Sequence, residues 1–171
     1  DGESHFAINA GGSQISNVQL RQAGMKLTQG NRYLFEFDAW CTSTPRLIEA
    51  KVGQDSSPWT NYSKIMPFTI TPNRTHYRFP FVMEDTSDYD ARVVFNMGTS
   101  AYDVYIDNVS LIYALPGDFD FDGCVRLDDL AVLAGEWLQG QSGLTADLDG
   151  SGRVDLKDFA IYAESFMKSC P

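Results

Sequence analysis

The chain has 171 residues, a mass of 19.1 kDa and a formal charge of -10, from 23 acidic and 13 basic residues. This acidic balance argues against nucleic acid as a partner. A hydrophobic fraction of 43% beside only 21% charged residues predicts a packed core. No apolar run approaches the roughly 20 residues of a membrane helix. We therefore expect one large or two modest soluble domains with no membrane insertion.

The first part of the chain, residues 1–113, has the pattern of β-structure. Short runs that alternate apolar and polar residues are bounded by Gly, Pro, Asn and Ser. In YLFEFDAW, every second side chain from Tyr33 to Ala39 is apolar or aromatic and faces one side. Seven or more such runs favour an all-β sandwich, and the others lie at residues 5–9, 17–22, 47–53, 77–83, 91–98 and 103–113.

Polar strand positions and unexplained aromatic residues in this part indicate a sugar site. Sugars present hydroxyls and C–H patches together, so their sites combine planar polar groups with exposed rings. Each outward polar side chain is also explained by simple solvation, and Trp40 by capping of the core. The candidate residues on the strands are Gln19, Arg21, Glu49, Lys51, Arg92 and Asn96, and the aromatic candidates are Trp40, Trp59 and Tyr62.

The motif order of residues 1–113 resembles the carbohydrate-binding modules related to families 4, 9 and 22. The segments VQLRQ, KLTQGNRYLFEFDAW and YIDNVSL carry the resemblance. It implies a β-jelly roll that binds a polysaccharide of the β-glucan or xylan class on one concave sheet. It also implies a structural calcium at the sheet edge with Asp107 as a ligand, although an Asp there can equally form a turn. The family's first strand has no match, so we expect a jelly roll without that strand.

The last part of the chain, residues 118–171, follows a linker at 114–117 and contains a repeat with a period of 29 residues. Each copy begins with oxygen donors at positions 1, 3 and 5, a glycine at 6 and Asp at 12, which is calcium-loop spacing. The alternative is an acidic turn without metal. We expect two Ca²⁺ ions, held by Asp118, Asp120, Asp122, the Cys124 carbonyl and Asp129, and by Asp147, Asp149, Ser151, the Arg153 carbonyl, Asp155 and Asp158.

Position 9 distinguishes the two loops, because Arg126 replaces the oxygen donor that Asp155 supplies. A cation neither ligates calcium nor holds a calcium-bound water, so we expect weaker binding in loop 1. Position 8 is valine in both copies, Val125 and Val154, and should pack inward.

One helix follows each loop and none precedes it, so residues 117–168 resemble a type I dockerin. GDFDFDGCVRLDDLAVLAGEWL and ADLDGSGRVDLKDFAIYAESF carry this resemblance. It implies an all-α module of two antiparallel loop–helix units that docks to a cohesin-like domain of a scaffold or surface protein. Loop positions 10 and 11 would select the partner: Leu127, Asp128, Leu156 and Lys157. We expect the core between the helices to contain Trp137, Leu138, Phe159, Tyr162 and Phe166.

The three cysteines allow at most one disulfide. In a dockerin-like fold the termini come together, so a bridge between Cys124 and Cys170 is one hypothesis and two free thiols the other. Cys41 is then a lone thiol.

No catalytic motif stands out. His5 and His76 are isolated, and neither a G-x-S-x-G elbow nor a glycine-rich phosphate loop occurs. We expect noncatalytic binding modules, secreted or at the cell surface, from the C-terminal part of a polysaccharide-degrading enzyme. The alternatives are a calcium-stabilised adhesin or structural protein with no enzyme, and a helical module that is only a stabilising cap.

Overall fold

The computed structural model describes residues 4–63, 67–141 and 143–168. The chain divides into two compact units, Asp1–Ile112 and Tyr113–Pro171. We call them the β unit and the helical unit. None of the helices in the described residues is long and apolar enough to cross a membrane.

The β unit is a sandwich of two four-stranded antiparallel sheets, as the alternation predicted. One sheet has the order β1-β8-β3-β6 and the other β2-β7-β4-β5. The three-residue β1 and β5 are shorter than the other strands. The bounds are β1 Ser4–Phe6, β2 Gln19–Leu27, β3 Arg32–Cys41, β4 Arg46–Gln54, β5 Phe68–Ile70, β6 Thr75–Val82, β7 Asp88–Asn96 and β8 Val104–Ala114.

The inward faces of the two sheets form an aromatic core. Phe35 and Phe37 of β3 are fully buried, and Phe37 meets Phe95 of β7 edge to face at 4.9 Å. A fully buried phenylalanine contributes about 2–3 kcal/mol through removal of its apolar surface from water. Cys41 lies in the same core as a free thiol, as expected, and its burial raises the pKa of that thiol.

Strand β7 is buried on both faces from Ala91 to Asn96. Val93 and Phe95 point into the core, so alternation places Arg92, Val94 and Asn96 on the opposite, outer face. Their burial means that neighbouring side chains cover this face instead of water. The outer surface of the β2-β7-β4-β5 sheet is therefore a structured polar layer.

The helical unit consists of two loop–helix repeats around a small core. The helices are α1, Leu127–Gly135, and α2, Leu156–Ser165. Val125 and Val154 are fully buried, which confirms the prediction for loop position 8. The buried members of this core are Phe119, Val125, Leu133, Ala146, Val154 and Tyr162.

The two repeats exchange equivalent hydrogen bonds. The backbone N–H of Leu138 donates to the carbonyl of Val154, and the N–H of Met167 donates to the carbonyl of Val125, each at 2.9 Å. Leu138 and Met167 occupy matching repeat positions and share the same left-handed φ, 60° and 61°. Each repeat thus ends against the loop of the other, which is a local pseudo-twofold arrangement.

The predicted core of the helical unit was only partly right. Tyr162 is buried, but Trp137, Leu138, Phe159 and Phe166 are 37–55% exposed. Both helices are short, and α1 ends at Gly135 and α2 at Ser165. Trp137, Leu138 and Phe166 therefore lie beyond the helix ends, where helical spacing no longer applies.

Candidate functional site

Seven of the nine predicted sugar-binding residues line one open cleft of about 460 Å³ on the outer surface of the β2-β7-β4-β5 sheet. We call it the polar cleft. Ile15 and Ser16, which precede β2, form part of its rim. The predicted residues in the cleft are Gln19, Arg21, Glu49, Lys51, Trp59, Arg92 and Asn96.

Strand register places the polar residues in rows across the sheet. Gln19, Asn96 and Glu49 are direct neighbours on β2, β7 and β4. Gln19 donates from Nε2 to Asn96 Oδ1 at 2.7 Å, Asn96 Nδ2 donates to Glu49 Oε2, and Lys51 pairs with the same oxygen at 3.2 Å. These contacts fix the side-chain orientations. Gln19 and Glu49 have hydrogen-bonding atoms that these contacts do not use, so they can also bind hydroxyls, whereas Asn96 is buried and holds them in place.

Trp59 is the exposed aromatic ring of the cleft, with 49% of its surface accessible. Its loop folds back onto β4 through hydrogen bonds from Gln54 N–H to Thr60 O at 2.8 Å and from Tyr62 N–H to Val52 O at 2.9 Å. Gly53 permits this approach, because a Cβ there would lie 2.4 Å from Thr60 O. The ring is thus held at the cleft by backbone contacts.

Arg92 and Asp55 complete the charged end of the cleft. The Arg92 guanidinium lies 4.6 Å from the centre of the Trp59 ring, in cation–π geometry. Asp55 faces both Arg21 and Arg92, at 3.3 and 3.6 Å. Sequence reasoning missed Asp55, although alternation from Glu49 and Lys51 through residue 53 places it on the same face.

Trp40 and Tyr62 lie outside the polar cleft, so the structure does not bring these two candidates together with the other seven. Trp40 lies on the other sheet, stacked on Tyr105 at 5.2 Å with the Arg74 guanidinium 5.0 Å from its ring centre. Tyr62 packs against the core, and its hydroxyl donates to Asp88 Oδ2 at 2.7 Å. Burial raises the pKa of Tyr62, and the Asp88 carboxylate adds to the effect.

Asp107, the predicted edge-calcium ligand, forms an ion pair with Arg74. Arg74 Nη2 contacts Asp107 Oδ2 at 2.7 Å and Asp38 Oδ2 at 2.6 Å. His76 and Asn108 also contact the Asp38 carboxylate. The hydrogen bond from Arg74 is the main reason that the pKa of Asp38 lies below its usual range. The geometry favours an ion-pair role for Asp107, and its calcium role stays a prediction.

A larger opening, about 560 Å³, lies between the edges of the two sheets. Core side chains such as Leu20, Met25, Phe95 and Leu111 line much of it. Stacking of a sugar needs an exposed ring beside polar groups, and the aromatic residue that lines this opening, Phe95, is buried. The smaller polar cleft is therefore the better candidate site.

The helical unit contains two groups of three carboxylates. Asp118, Asp120 and Asp129 form one group, and Asp147, Asp149 and Asp158 form the other at equivalent repeat positions. In each group the candidate ligand oxygens lie within 4.8 Å of one another. The structure thus brings together predicted loop positions 1, 3 and 12 in both copies.

The other predicted calcium ligands form hydrogen bonds or ion pairs with neighbouring residues. Asp122 Oδ2 lies 3.5 Å from the Arg126 guanidinium. Ser151 Oγ donates to the Arg153 carbonyl at 3.1 Å, and Asp155 Oδ1 accepts from the Lys157 N–H as the cap of α2. Cys124 is buried, and its N–H donates to Asp122 Oδ1. In the described part of the chain, these residues lie beside the two groups of three carboxylates but are not members of them.

The chemistry of loop 1 suits a cation. Asp118 is 2% exposed, and its Oδ1 is buried without a hydrogen-bond partner in the described residues. Burial raises the pKa of Asp118, and the carboxylates of Asp129 and Asp120 raise it further. A bound divalent cation would satisfy this oxygen and offset the repulsion, so the residues fit calcium.

The predicted partner-binding residues lie at the start of each helix. Leu127 is 69% exposed and Leu156 72% exposed, and they occupy matching repeat positions. Asp128 and Lys157, which follow them, are exposed too. Cys170 lies outside the described residues, so the Cys124–Cys170 bridge stays a prediction.

A two-sheet sandwich with an exposed tryptophan beside ordered amides and charged groups defines a sugar-binding domain. The chain belongs to the carbohydrate binding domain family CBM_4_9, whose model matches residues 1–103. This confirms the sequence-based family resemblance for the β unit.

Individual relatives agree with this assignment. The chain is 33% identical over 103 residues to a cellulose 1,4-beta-cellobiosidase of Acetivibrio thermocellus. That match covers 56% of this chain but 11% of the relative, so the chain spans a small part of that enzyme's length.

Solved structures show the same fold. A CBM4 domain matches with a TM-score of 0.62 and 28% identity, covering 67% of this chain and 72% of its own. The N-terminal cellulose-binding domain of β-1,4-glucanase C from Cellulomonas fimi matches with a TM-score of 0.56 and 21% identity, covering 67% and 80%. Domains of this family bind carbohydrate without catalysis, so the β unit is a binding module.

Proposed function

We propose that the polar cleft binds a β-glucan or xylan chain and that the helical unit is a calcium-loaded, dockerin-like module. The chain would then hold a secreted polysaccharide-degrading enzyme on its substrate and on a scaffold. Joining two binding modules raises the local concentration of the attached enzyme without new contacts to it. The observation that carries the proposal is the convergence of seven sugar-binding candidates, exposed Trp59 among them, in one cleft.

The cleft has the parts that a polysaccharide site requires. The Trp59 ring offers an apolar face for the C–H side of a sugar, and Gln19 and Glu49 offer donors and acceptors for hydroxyls. The cleft is open, so a long chain can pass through it. The match to a cellulose-degrading enzyme supports a β-linked glucan as the first ligand to test.

The test of sugar binding is isothermal titration of the full chain, in calcium, with soluble β-glucans, xylan, mannan and their oligosaccharides. We expect saturable binding to at least one β-linked member and its loss in Trp59→Ala. Absence of binding by folded protein to every member would overturn the proposal.

Calcium binding is supported by the paired carboxylate groups and by the unpartnered Asp118 Oδ1. Calcium prefers six to eight oxygen ligands, and three carboxylates with nearby carbonyls and water supply that number. The equivalent residues of the two repeats make one ion per loop the expected stoichiometry. Titration of metal-stripped protein with calcium measures it, and fewer than two sites would contradict this part of the proposal.

Docking is supported by apolar side chains that the helical unit leaves at its surface. Leu127 and Leu156 are the first residues of the two helices, and the nearby Phe159 ring is 40% exposed. Exposed apolar groups at related positions are typical of a protein-binding surface. The neighbouring Asp128 and Lys157 carry opposite charges, so the two repeats would present different faces to a partner.

The docking experiment measures binding of the calcium-loaded chain to a panel of cohesin domains. We expect binding to one member and its loss in the double variant Leu127→Asp, Leu156→Asp. The control is Leu47→Asp, which makes one such substitution at a 42% exposed leucine of the β unit. Equal binding by both variants would contradict docking through this surface.

A further inference from the structure

The polar cleft carries more positive than negative charge, unlike the chain around it. Arg21, Lys51 and Arg92 line it, against the two carboxylates of Glu49 and Asp55. The whole chain has a net charge of -10. A surplus of cations in one cleft of an acidic protein indicates a ligand with negative charge.

Strand register brings the three cations close together. Arg21 of β2 and Lys51 of β4 are both direct neighbours of Val94 on β7. Arg92 lies two residues before Val94 and faces the same side. Neighbouring strands are about 4.8 Å apart, so the backbone positions of Arg21 and Lys51 are separated by about 10 Å. That span matches one or two sugar rings.

The Asp55 carboxylate leaves the two arginines of the cleft incompletely paired. Asp55 Oδ1 is shared by Arg21 at 3.3 Å and Arg92 at 3.6 Å. By contrast, Arg74 on the other sheet holds Asp38 at 2.6 Å. Arg92 is 8% exposed, and its Nε is buried without a hydrogen-bond partner in the described residues. A buried donor of this kind is costly unless a ligand satisfies it.

We propose that the polar cleft selects an acidic polysaccharide, a β-linked chain that bears carboxylate groups such as uronic acids. The sugar ring stacks on Trp59, and a ligand carboxylate is bound among Arg21, Lys51 and Arg92. The planar guanidinium fork matches a carboxylate with two parallel hydrogen bonds. This inference rests on the proposed sugar-binding function of the cleft and specifies the chemistry of its ligand.

The test uses ligand pairs that differ only in charge. One pair is a neutral xylo-oligosaccharide and the same backbone with a glucuronic acid branch. The other is cellohexaose and its counterpart oxidised to carboxylates at the primary alcohols. We expect the acidic member of at least one pair to bind about tenfold more tightly at about 0.05 M salt, and the ratio to shrink at about 0.5 M.

Substitutions assign the preference to the cleft. In Arg21→Gln and Lys51→Gln the acidic-to-neutral affinity ratio should fall about threefold or more. Lys26→Gln, which removes an equal charge from an exposed position of β2, should leave the ratio unchanged. Thermal unfolding of each variant verifies that the fold is intact.

The outcomes separate this inference from the proposed function. Equal affinity for both members of each pair, lost in Trp59→Ala, would keep sugar binding and overturn the acidic preference. A preference that survives Arg21→Gln and Lys51→Gln would overturn the assignment to these cations. Absence of binding to all four of these ligands and to every glycan titrated in the test of sugar binding would overturn the proposed function itself.

Discussion

The β unit and the helical unit are stabilised in different ways. Among the residues that the structure describes, eighteen buried side chains form the core of the β unit, whereas six form that of the helical unit. The helical unit instead concentrates two groups of carboxylates, one of them with a buried, unpartnered oxygen. The sandwich is therefore stabilised mainly by apolar burial, whereas the proposed calcium ions would offset the repulsion between the carboxylates of the repeats.

The outer faces of the two sheets differ in how completely their arginines are paired. Each pairs a tryptophan with an arginine, Trp59 with Arg92 and Trp40 with Arg74. Arg74 is held by two carboxylates at 2.6 and 2.7 Å, and Tyr105 stacks on Trp40. Arg92 keeps an unpartnered Nε in the described structure, and Trp59 stays half exposed. The incompletely paired face is the one suited to bind a ligand.

Removal of calcium should have the largest effect and should separate the two units. We expect a chelator to unfold the helical unit, because calcium at about a thousand times its Kd adds about 4 kcal/mol of stability. The β unit should keep its thermal transition. Far-ultraviolet circular dichroism follows the loss of helix, and near-ultraviolet signals follow the sandwich. An unchanged helix signal in chelator would contradict the role of the carboxylates.

Single substitutions compare the two loops within the helical unit. Asp118→Asn and Asp147→Asn each remove one carboxylate from one group, and we expect each to weaken calcium binding at its loop about tenfold or more. Calcium titration calorimetry measures the effect. Glu164→Gln, at an exposed position of α2 outside both groups, is the matched control. Equal losses in all three variants would argue for a general charge effect instead.

The two tryptophans provide the same comparison within the β unit. Trp59→Ala should weaken sugar binding about 30-fold or more, as truncation of a central aromatic contact does. Trp40→Ala should leave the affinity within about twofold and lower the free energy of unfolding by about 2 kcal/mol, because it removes the stacking with Tyr105 and Arg74. Calorimetry and denaturant unfolding measure these quantities. Loss of sugar binding in Trp40→Ala would show that the β1-β8-β3-β6 sheet takes part in binding.

Acid should weaken the Arg74–Asp38 pair. Arg74 holds the pKa of Asp38 below its unfolded value of about 3.9. The stability from the ionised carboxylate is therefore complete above that value and is lost as the pH falls through the lower folded pKa. Asp38→Asn should cost about 2 kcal/mol at neutral pH. Denaturant unfolding at several pH values should show this difference closing below about pH 4, and a constant difference would contradict it.

The sequence contained enough local information to predict most of the fold and much of the site. Alternation in β3 predicted its buried face, and the 29-residue repeat located both acidic groups. Alternation also selected six residues of the polar cleft, since side chains two apart on a strand share a face, whereas Trp59 was selected as an unexplained loop aromatic.

The remaining errors come from contacts that a local pattern does not encode. Trp59 and Trp40 both looked like stacking residues, yet only Trp59 lies at the cleft. Tyr62 shares the Trp59 loop, but its ring packs on the core. Phe159 has helical spacing, and yet it is 40% exposed because the two short helices leave room for few inward side chains.

The sequence by itself predicted most of the strands, the face on which their residues lie, the acidic loops and the repeat, because these follow from local spacings of two to twelve residues and from a period of 29 residues. Only the tertiary structure decided which sheet each face belongs to. Trp40 points away from the cleft because β3 pairs with β8 and β6, whereas β7 brings Arg92 and Asn96 between β2 and β4. Strand order depends on pairing between distant segments, and those long-range contacts decide which side chains form the site.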